Sequence, residues 1–479
     1  MNDQPPPTSP PPQPSQGRLR DPGGPVGRAI SWAIIIALVA MLALTPMLIE
    51  PPAPEAGAES DAAPTAAATE QVTPAGIFGD ALKPIVLSDA AAAKTEIGLA
   101  GGMFVRGPAD RIRIAIVAGD AIGPDAAREQ LDKLDPEELS APFAADVDAL
   151  RALYDAGSPD ALSTQQADRL RDRYEWFGEL ALAYGLDDAA PPRKELLSSA
   201  RAVHIIVVLF NFAIVLAFVV GVGLFITAIV LLATGRIRRA YAPPGPGGSV
   251  YLETFAAFLV GFLVISFIAE KLEPSIGSWS HLVRWAILPV AAWPLLRGAP
   301  WRNVKFAIGW HPGKGFVREA ILGAVGYIAL LPIVGIGVLC TLGLMALWGA
   351  VQAWFGAGEE GGVPTHPIGD LLPGASPIDL ALLVMLGVIW APVVEETFFR
   401  GALYHHLRGG MRLLGSGLVT GFIFAAIHPQ GIFAIPALMS IGFVLCLLRE
   451  WRGTAIAPMA AHALNNGFIF TMLILVLSA

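Results

Sequence analysis

Apolar runs of membrane length recur along this chain, separated by short polar breaks. Nine such runs cover residues 29–49, 202–233, 251–269, 281–296, 316–350, 378–399, 413–428, 432–448 and 455–479. A helix needs about 20 apolar residues to cross ~30 Å of hydrocarbon, so the pattern predicts about nine transmembrane helices. Residues 1–28 are rich in Pro, Gly, Gln and Ser, and 50–75 in Pro and Ala. Such segments lack the apolar side chains for a core, so they read as a disordered tail and a linker. The remaining stretch, 76–201, predicts a small, mostly helical polar unit. Within it, 111–117 alternates as a strand would, and 146–154 follows a helical period. Ser163 with Gln166 predicts a capping box, opening a helix that runs to Tyr184 with Gly185 as its C-cap.

Composition agrees with the pattern. The 479 residues are 54% hydrophobic and 15% charged, with mean hydropathy +0.58. Soluble domains carry about 25% charge, so an ordinary soluble enzyme is excluded. The fold class is an all-α polytopic membrane protein. Net charge is −8 but unevenly spread, since 50–201 holds nearly twice as many acidic as basic residues. Arg236, Arg238 and Arg239 follow the second run, and Arg297, Arg302, Lys305 and Lys314 the fourth. Arg400, Arg408 and Arg412 follow the sixth, and Arg449 and Arg452 the eighth. The alternate loops carry Glu270, Glu273, Glu359, Glu360 and Asp370. The positive-inside rule then places the N-terminus in the cytoplasm and 50–201 outside, in a multi-pass protein of the cell (inner) membrane. The first run, 29–49, is too long for a signal-peptide core and reads as an uncleaved anchor. Cys340 and Cys446 both fall in apolar runs and read as buried small hydrophobes rather than a disulfide.

Polar residues inside the last apolar runs change the picture most. Glu395 and Glu396 lie in one run with Arg400 at its end, His428 ends the next, and His462 and Asn466 lie in the last. Ionisable groups at membrane depth are costly and mark function by default. Glu396 and Arg400 are i, i+4 and can pair on one helix face. Glu395 is turned about 100° away, so one glutamate can be structural while the other stays free. His462 and Asn466 also share a face. Counted from the nearest basic loop at 1.5 Å per residue, Glu395, His428 and His462 lie roughly 20, 24 and 14 Å deep, so they can converge. His405 and His406, near the end of the same helix, read as solvated.

A carboxylate held away from water suits a general base. His428 can orient a water beside Glu395, and His462 with Asn466 can donate hydrogen bonds to a developing oxyanion. Those parts suffice for amide hydrolysis without a Ser or Cys nucleophile. Glu395, His428 and His462 also suit a divalent metal such as zinc, although the chain contains no His-Glu-x-x-His.

Glu395-Glu396-x-x-x-Arg400, Phe424-x-x-x-His428 and His462-x-x-x-Asn466 resemble the three motifs of the CPBP family. These are the CAAX-protease and bacteriocin-processing intramembrane proteases, related to the Rce1-type CAAX prenyl endopeptidases and to Abi proteins. The motifs occupy about residues 380–470, within a membrane protease domain expected over 202–479. The resemblance implies an eight-helix core and an endopeptidase, metallo- or glutamate-type. It implies that Glu395 and His428 activate water, that His462 and Asn466 bind the oxyanion, and that Glu396 and Arg400 support them. The partners are then the lipid bilayer and a peptide or protein substrate that can be prenylated, with no nucleic acid. The unit at 76–201 lies outside the resemblance. A non-catalytic scaffold or receptor, or an ion-coupled transporter, would use the same polar cluster differently, but a transporter would be expected to show inverted repeats.

Overall fold

A computed structural model describes residues 21–48, 79–105, 107–137, 139–355 and 375–477. Of the tail expected at 1–28, residues 1–20 lie outside the described residues, whereas Pro25–Arg28 form the first turn of a helix rather than a disordered segment. The linker expected at 50–75 lies outside the described residues, as do Glu359, Glu360 and Asp370. Every regular element among the described residues is helical, and no strand occurs there. Helix α1 is Pro25–Leu48, and the polar unit holds α2 (Ala90–Phe104), α3 (Pro108–Ala121), α4 (Pro124–Leu131), α5 (Ala141–Ala156), α6 (Thr164–Tyr174) and α7 (Trp176–Leu182). The membrane part is built from α8 (Pro191–Ala233), α9 (Val250–Ile276), a 3-10 return leg (Gly277–Ala292), α10 (Trp301–Ile308) and α11 (Phe316–Phe355). It continues with α12 (Pro377–Gly410), α13 (Leu413–Ala426), α14 (Ile435–Arg452) and α15 (Ile456–Leu477).

The strand expected at 111–117 is the middle of α3. Pro108 opens that helix at its first turn, and the residues from Arg111 to Gly119 are buried on every side. A lone strand would leave its backbone groups without partners, whereas a helix satisfies its own. Ile112, Ile114 and Ile116 therefore pack into a helical core with Leu150, Leu153, Tyr174 and Phe177. The capping box at Ser163 and Gln166 is present, but its helix breaks at Glu175 (φ +50) before α7. The break lets α7 fold back so closely that a Cβ on Gly178 would sit 2.1 Å from the Leu170 carbonyl oxygen. Asp146, fully buried, anchors the unit by accepting from Arg169 Nε (2.6 Å), Arg173 Nη1 (2.6 Å) and Tyr174 Oη (3.0 Å). Burial raises the Tyr174 phenol well above its ordinary range, with the Asp146 charge adding to it.

Seven helical stretches, rather than nine, are long and apolar enough to cross a membrane among the described residues. Two expected spans, 251–269 and 281–296, fall in one continuous stretch that reverses at Gly277 (φ +56). The apolar run at 413–428 yields only the 14-residue α13, about 21 Å at 1.5 Å per residue, which stops short of a full crossing. Helix α8, 43 residues long, runs about 65 Å by the same rise, burying Leu196 in the core of the polar unit before entering apolar sequence.

An aromatic core fixes α9, α12 and α13 to one another. Phe258 stacks on Phe398 at 4.3 Å, and Phe399 meets Phe255 at 5.0 Å and Phe424 at 5.2 Å edge-on. Helix α1 contributes Ile35 to this same core, so the anchor is also a packed element. At the end of the bundle where α12 meets α14, the basic residues are paired inside it. Arg449, fully buried, donates to the Phe306, Ala307 and Gly453 carbonyls. Glu450 accepts from Arg408 Nε (2.5 Å) and Tyr404 Oη (2.9 Å), and Glu319 from Arg452 (2.6 and 2.8 Å). His405 is buried rather than solvated, with Nδ1 2.7 Å from Tyr241 Oη, and His406 Nδ1 lies 3.3 Å from Asp21. Cys446 is buried as expected, whereas Cys340 is exposed.

Candidate functional site

Helix α12 carries both glutamates and is not a regular α-helix. Residues Met385–Trp390 and Glu396–Leu403 are π-helical, flanking a short α-helical piece, Ala391–Glu395. Pro392 supplies the local reason for the first of them. It has no N–H to give to the carbonyl four residues back, and its ring clashes there. The backbone widens, and Ala391 N–H reaches five residues back to Leu386 O. Such π-turns recur at functional sites.

The two neighbouring glutamates part company on this scaffold. Glu396 is fully buried, and its Oε1 accepts from Arg400 Nη1 at 2.8 Å and lies 3.0 Å from His462 Nδ1. Arg400, also buried, donates through Nη2 to the Gly442 carbonyl at 2.9 Å. That carbonyl is reachable because α13 and α14 cross on two glycines: a Cβ on Gly442 would stand 2.7 Å from Gly421 Cα. Glu395 points the other way and keeps 18% of its side chain exposed. Its Oε2 is buried without a hydrogen-bond partner, 4.0 Å from His428 Nε2 and 3.9 Å from His462 Nε2.

Hydrogen-bond chemistry sets the tautomers. His428 Nδ1 lies 2.5 Å from the Phe424 carbonyl oxygen, which only accepts, so Nδ1 carries the hydrogen. His462 Nδ1 faces the Glu396 carboxylate and carries its hydrogen for the same reason. Both neutral rings then turn an Nε2 lone pair toward Glu395. Phe424 holds this geometry: its ring lies 4.3 Å from that of His428, 6.0 Å from that of His462 and 4.9 Å from the Arg400 guanidinium.

Glu395, Glu396, Arg400, His428 and His462 thus meet in one place. Asn466 stands one turn from His462, and its Nδ2 donates to the Gly387 carbonyl at 2.9 Å. Its partners also include Asn465, whose Nδ2 donates to Asn466 Oδ1 at 3.0 Å, and Asn465 Oδ1 in turn accepts from Tyr327 Oη at 2.7 Å. Sequence reasoning passed over Tyr327, Asn465, Gly387 and Gly442. The Asn465–Asn466 pair inside an apolar run was a visible signal; the glycine carbonyls were not, because a carbonyl has no sequence signature.

A divalent metal would require Glu395, His428 and His462 together. Ligand atoms on one tetrahedral zinc, each at about 2.0–2.1 Å, lie about 3.4 Å apart. The glutamate–imidazole separations of 4.0 and 3.9 Å are wider, and among the described residues no group of three or more His, Cys, Asp or Glu is placed to hold an ion. The three side chains as they stand do not fit a metal.

No curated protein and no solved structure matches the chain. The Type II CAAX prenyl endopeptidase Rce1-like family matches residues 377–468, the stretch that runs from the first turn of α12 through the middle of α15 and holds every residue of the cluster. That family implies a peptidase with a protein substrate. Residues 377–468 are an Rce1-like type II CAAX prenyl endopeptidase family domain, set within a multi-pass helical membrane protein.

Proposed function

We propose that this chain is an intramembrane endopeptidase that hydrolyses a peptide bond of a membrane-associated or prenylated, CAAX-like substrate with a water activated by Glu395 and His428. The observation that carries the reading is the unpartnered Glu395 Oε2 facing two imidazole lone pairs at 3.9–4.0 Å. A water about 2.8 Å from each of two acceptors bridges such a gap, giving one hydrogen to Glu395 and the other to His428.

The step balances on these side chains. The water oxygen adds to the scissile carbonyl carbon as Glu395 takes its proton. The carbonyl oxygen becomes an oxyanion beside His462 and Asn466. Glu396 holds the His462 ring there through Nδ1, and the oxyanion takes its hydrogen bond from the Asn466 amide. Asn466 has a second amide hydrogen beyond the one given to Gly387. The C–N bond then breaks, and Glu395 passes its proton to the leaving nitrogen. Glu396 and Arg400 orient His462 and take no part in bond making.

The family domain supports the peptidase class, and the basic loops support an orientation with the N-terminus cytoplasmic and 50–201 extracytoplasmic. A polar cluster used only to bind a partner would tolerate Glu395→Gln, which preserves shape and hydrogen bonding. The test is reconstitution in liposomes with a farnesylated CAAX peptide. The wild type is expected to cleave it, and Glu395→Gln to bind and retain it uncleaved. Cleavage by Glu395→Gln at the wild-type rate would overturn the mechanism.

A further inference from the structure

At Gly387 the backbone of α12 depends on a side chain from another helix. Its carbonyl has lost both intrahelical donors. Ala391 N–H is given to Leu386 O, and the next residue, Pro392, has no N–H. An unpaired carbonyl in an apolar bundle is costly. Asn466 Nδ2 supplies the missing donor at 2.9 Å. The approach requires glycine, since a Cβ at 387 would lie 2.3 Å from the Phe470 ring.

The amide of Asn466 is oriented from behind. A carbonyl accepts only, so Nδ2 must face Gly387 and Oδ1 must face away. Asn465 Nδ2 donates to that Oδ1 at 3.0 Å, and Asn465 Oδ1 accepts from Tyr327 Oη at 2.7 Å. Tyr327 is 6% exposed and lies on α11, outside the matched family domain. Three hydrogen bonds therefore run in one direction from α11 through α15 to the backbone of α12.

We infer that Tyr327 and Asn465 are positioning residues of this site: through Asn466 they cap the Gly387 carbonyl, hold the π-helical turn opened by Pro392, and so set where Glu395 stands. The inference rests on the function proposed above for Glu395. It also gives Asn466 a second duty, since the hydrogen bond that fixes α12 leaves its other amide hydrogen oriented by the same chain.

Tyr327→Phe removes a single oxygen and leaves the ring packing intact. In the full-length protein in lipid nanodiscs, hydrogen exchange is expected to speed up at the amides of 386–395 while exchange in the polar unit stays unchanged. With a farnesylated CAAX peptide, kcat per folded enzyme should fall about tenfold, the rate equivalent of roughly one hydrogen bond, with KM unmoved. Asn465→Ala should do the same, and the double variant should be no worse than either alone, because both cut one chain. In a Pro392→Ala background the new N–H can serve Gly387, and Tyr327→Phe should lose its effect. Unchanged exchange at 386–395 in both single variants, or an effect of Tyr327→Phe that persists with Pro392→Ala, would overturn the inference. If the wild type cleaves nothing, the proposed function fails while the exchange measurements still decide whether the chain holds the turn.

Discussion

His462 Nδ1 lies 3.0 Å from Glu396 Oε1, and that same oxygen accepts from Arg400 at 2.8 Å. One buried carboxylate oxygen thus joins a charge pair within α12 to an imidazole on α15. Glu396 does not serve Glu395 directly, as adjacency in sequence would suggest. It sets the tautomer and orientation of His462, leaving Nε2 toward Glu395. The neighbouring glutamates divide the work by helix face.

Substitution of Glu395 separates chemistry from folding. Its Oε2 has no hydrogen-bond partner, so Glu395→Ala removes nothing that holds the bundle together. Peptide hydrolysis should fall by at least about a thousandfold, in line with the loss of a general base from an organised site. The melting temperature in detergent should stay within a few degrees. Retained peptidase activity would remove Glu395 from the mechanism.

Glu396→Ala is expected to behave differently. It strands the buried Arg400 guanidinium and frees His462 to rotate. Breaking a buried pair by deleting one partner costs about 3–5 kcal/mol, which should appear as a clear drop in melting temperature alongside lost activity. A variant that is inactive yet as heat-stable as the wild type would show that the pair does not hold α12.

The polar unit has its own keystone in Asp146, which serves Arg169, Arg173 and Tyr174. Asp146→Ala leaves these donors unpaired in or beside the core and should destabilise this unit by about 3 kcal/mol or more. Limited proteolysis should then cut within 141–182 while the membrane helices stay intact. Equal resistance to protease in variant and wild type would contradict this.

His311, between α10 and α11, provides a pH test. Burial, reinforced by the nearby Arg449 guanidinium, lowers its pKa below the usual 6.5. In the neutral ring Nε2 donates to the Gly453 carbonyl at 2.9 Å and Nδ1 accepts from Gly313 N at 3.3 Å. A depressed histidine means that the unfolded chain takes up the proton first. Stability from this group is present above about pH 6.5 and is lost as pH falls below it. Melting temperatures measured from pH 8 to pH 5 should drop more steeply for the wild type than for His311→Gln, and parallel curves would argue against it.

The helical class, the membrane character and all the residues of the cluster were legible in the chain, because burial in lipid forces long apolar runs and makes each polar exception conspicuous. The i, i+4 spacing of Glu396 and Arg400 was enough to expect their pairing, since helix geometry alone brings them together. The alternation at 111–117 misled because a side-chain pattern of period two does not supply a partner strand. The span count misled because hydropathy records that 281–296 and 413–428 are apolar, and is silent on a 3-10 leg that folds back at Gly277 or a helix that halts before His428.

What the sequence by itself determined is which residues are costly enough in a membrane to require a reason. Only the tertiary structure decided how they divide their roles. The first π-turn of α12, Met385–Trp390, follows from a proline without an N–H, but which donor answers the orphaned Gly387 carbonyl depends on α15 lying against it. Likewise, the approach of α14 that offers the Gly442 carbonyl to Arg400 depends on two glycines meeting from different helices. Backbone carbonyls are identical in every residue, so their unmet hydrogen bonds, and the side chains that meet them, exist only once the helices are packed.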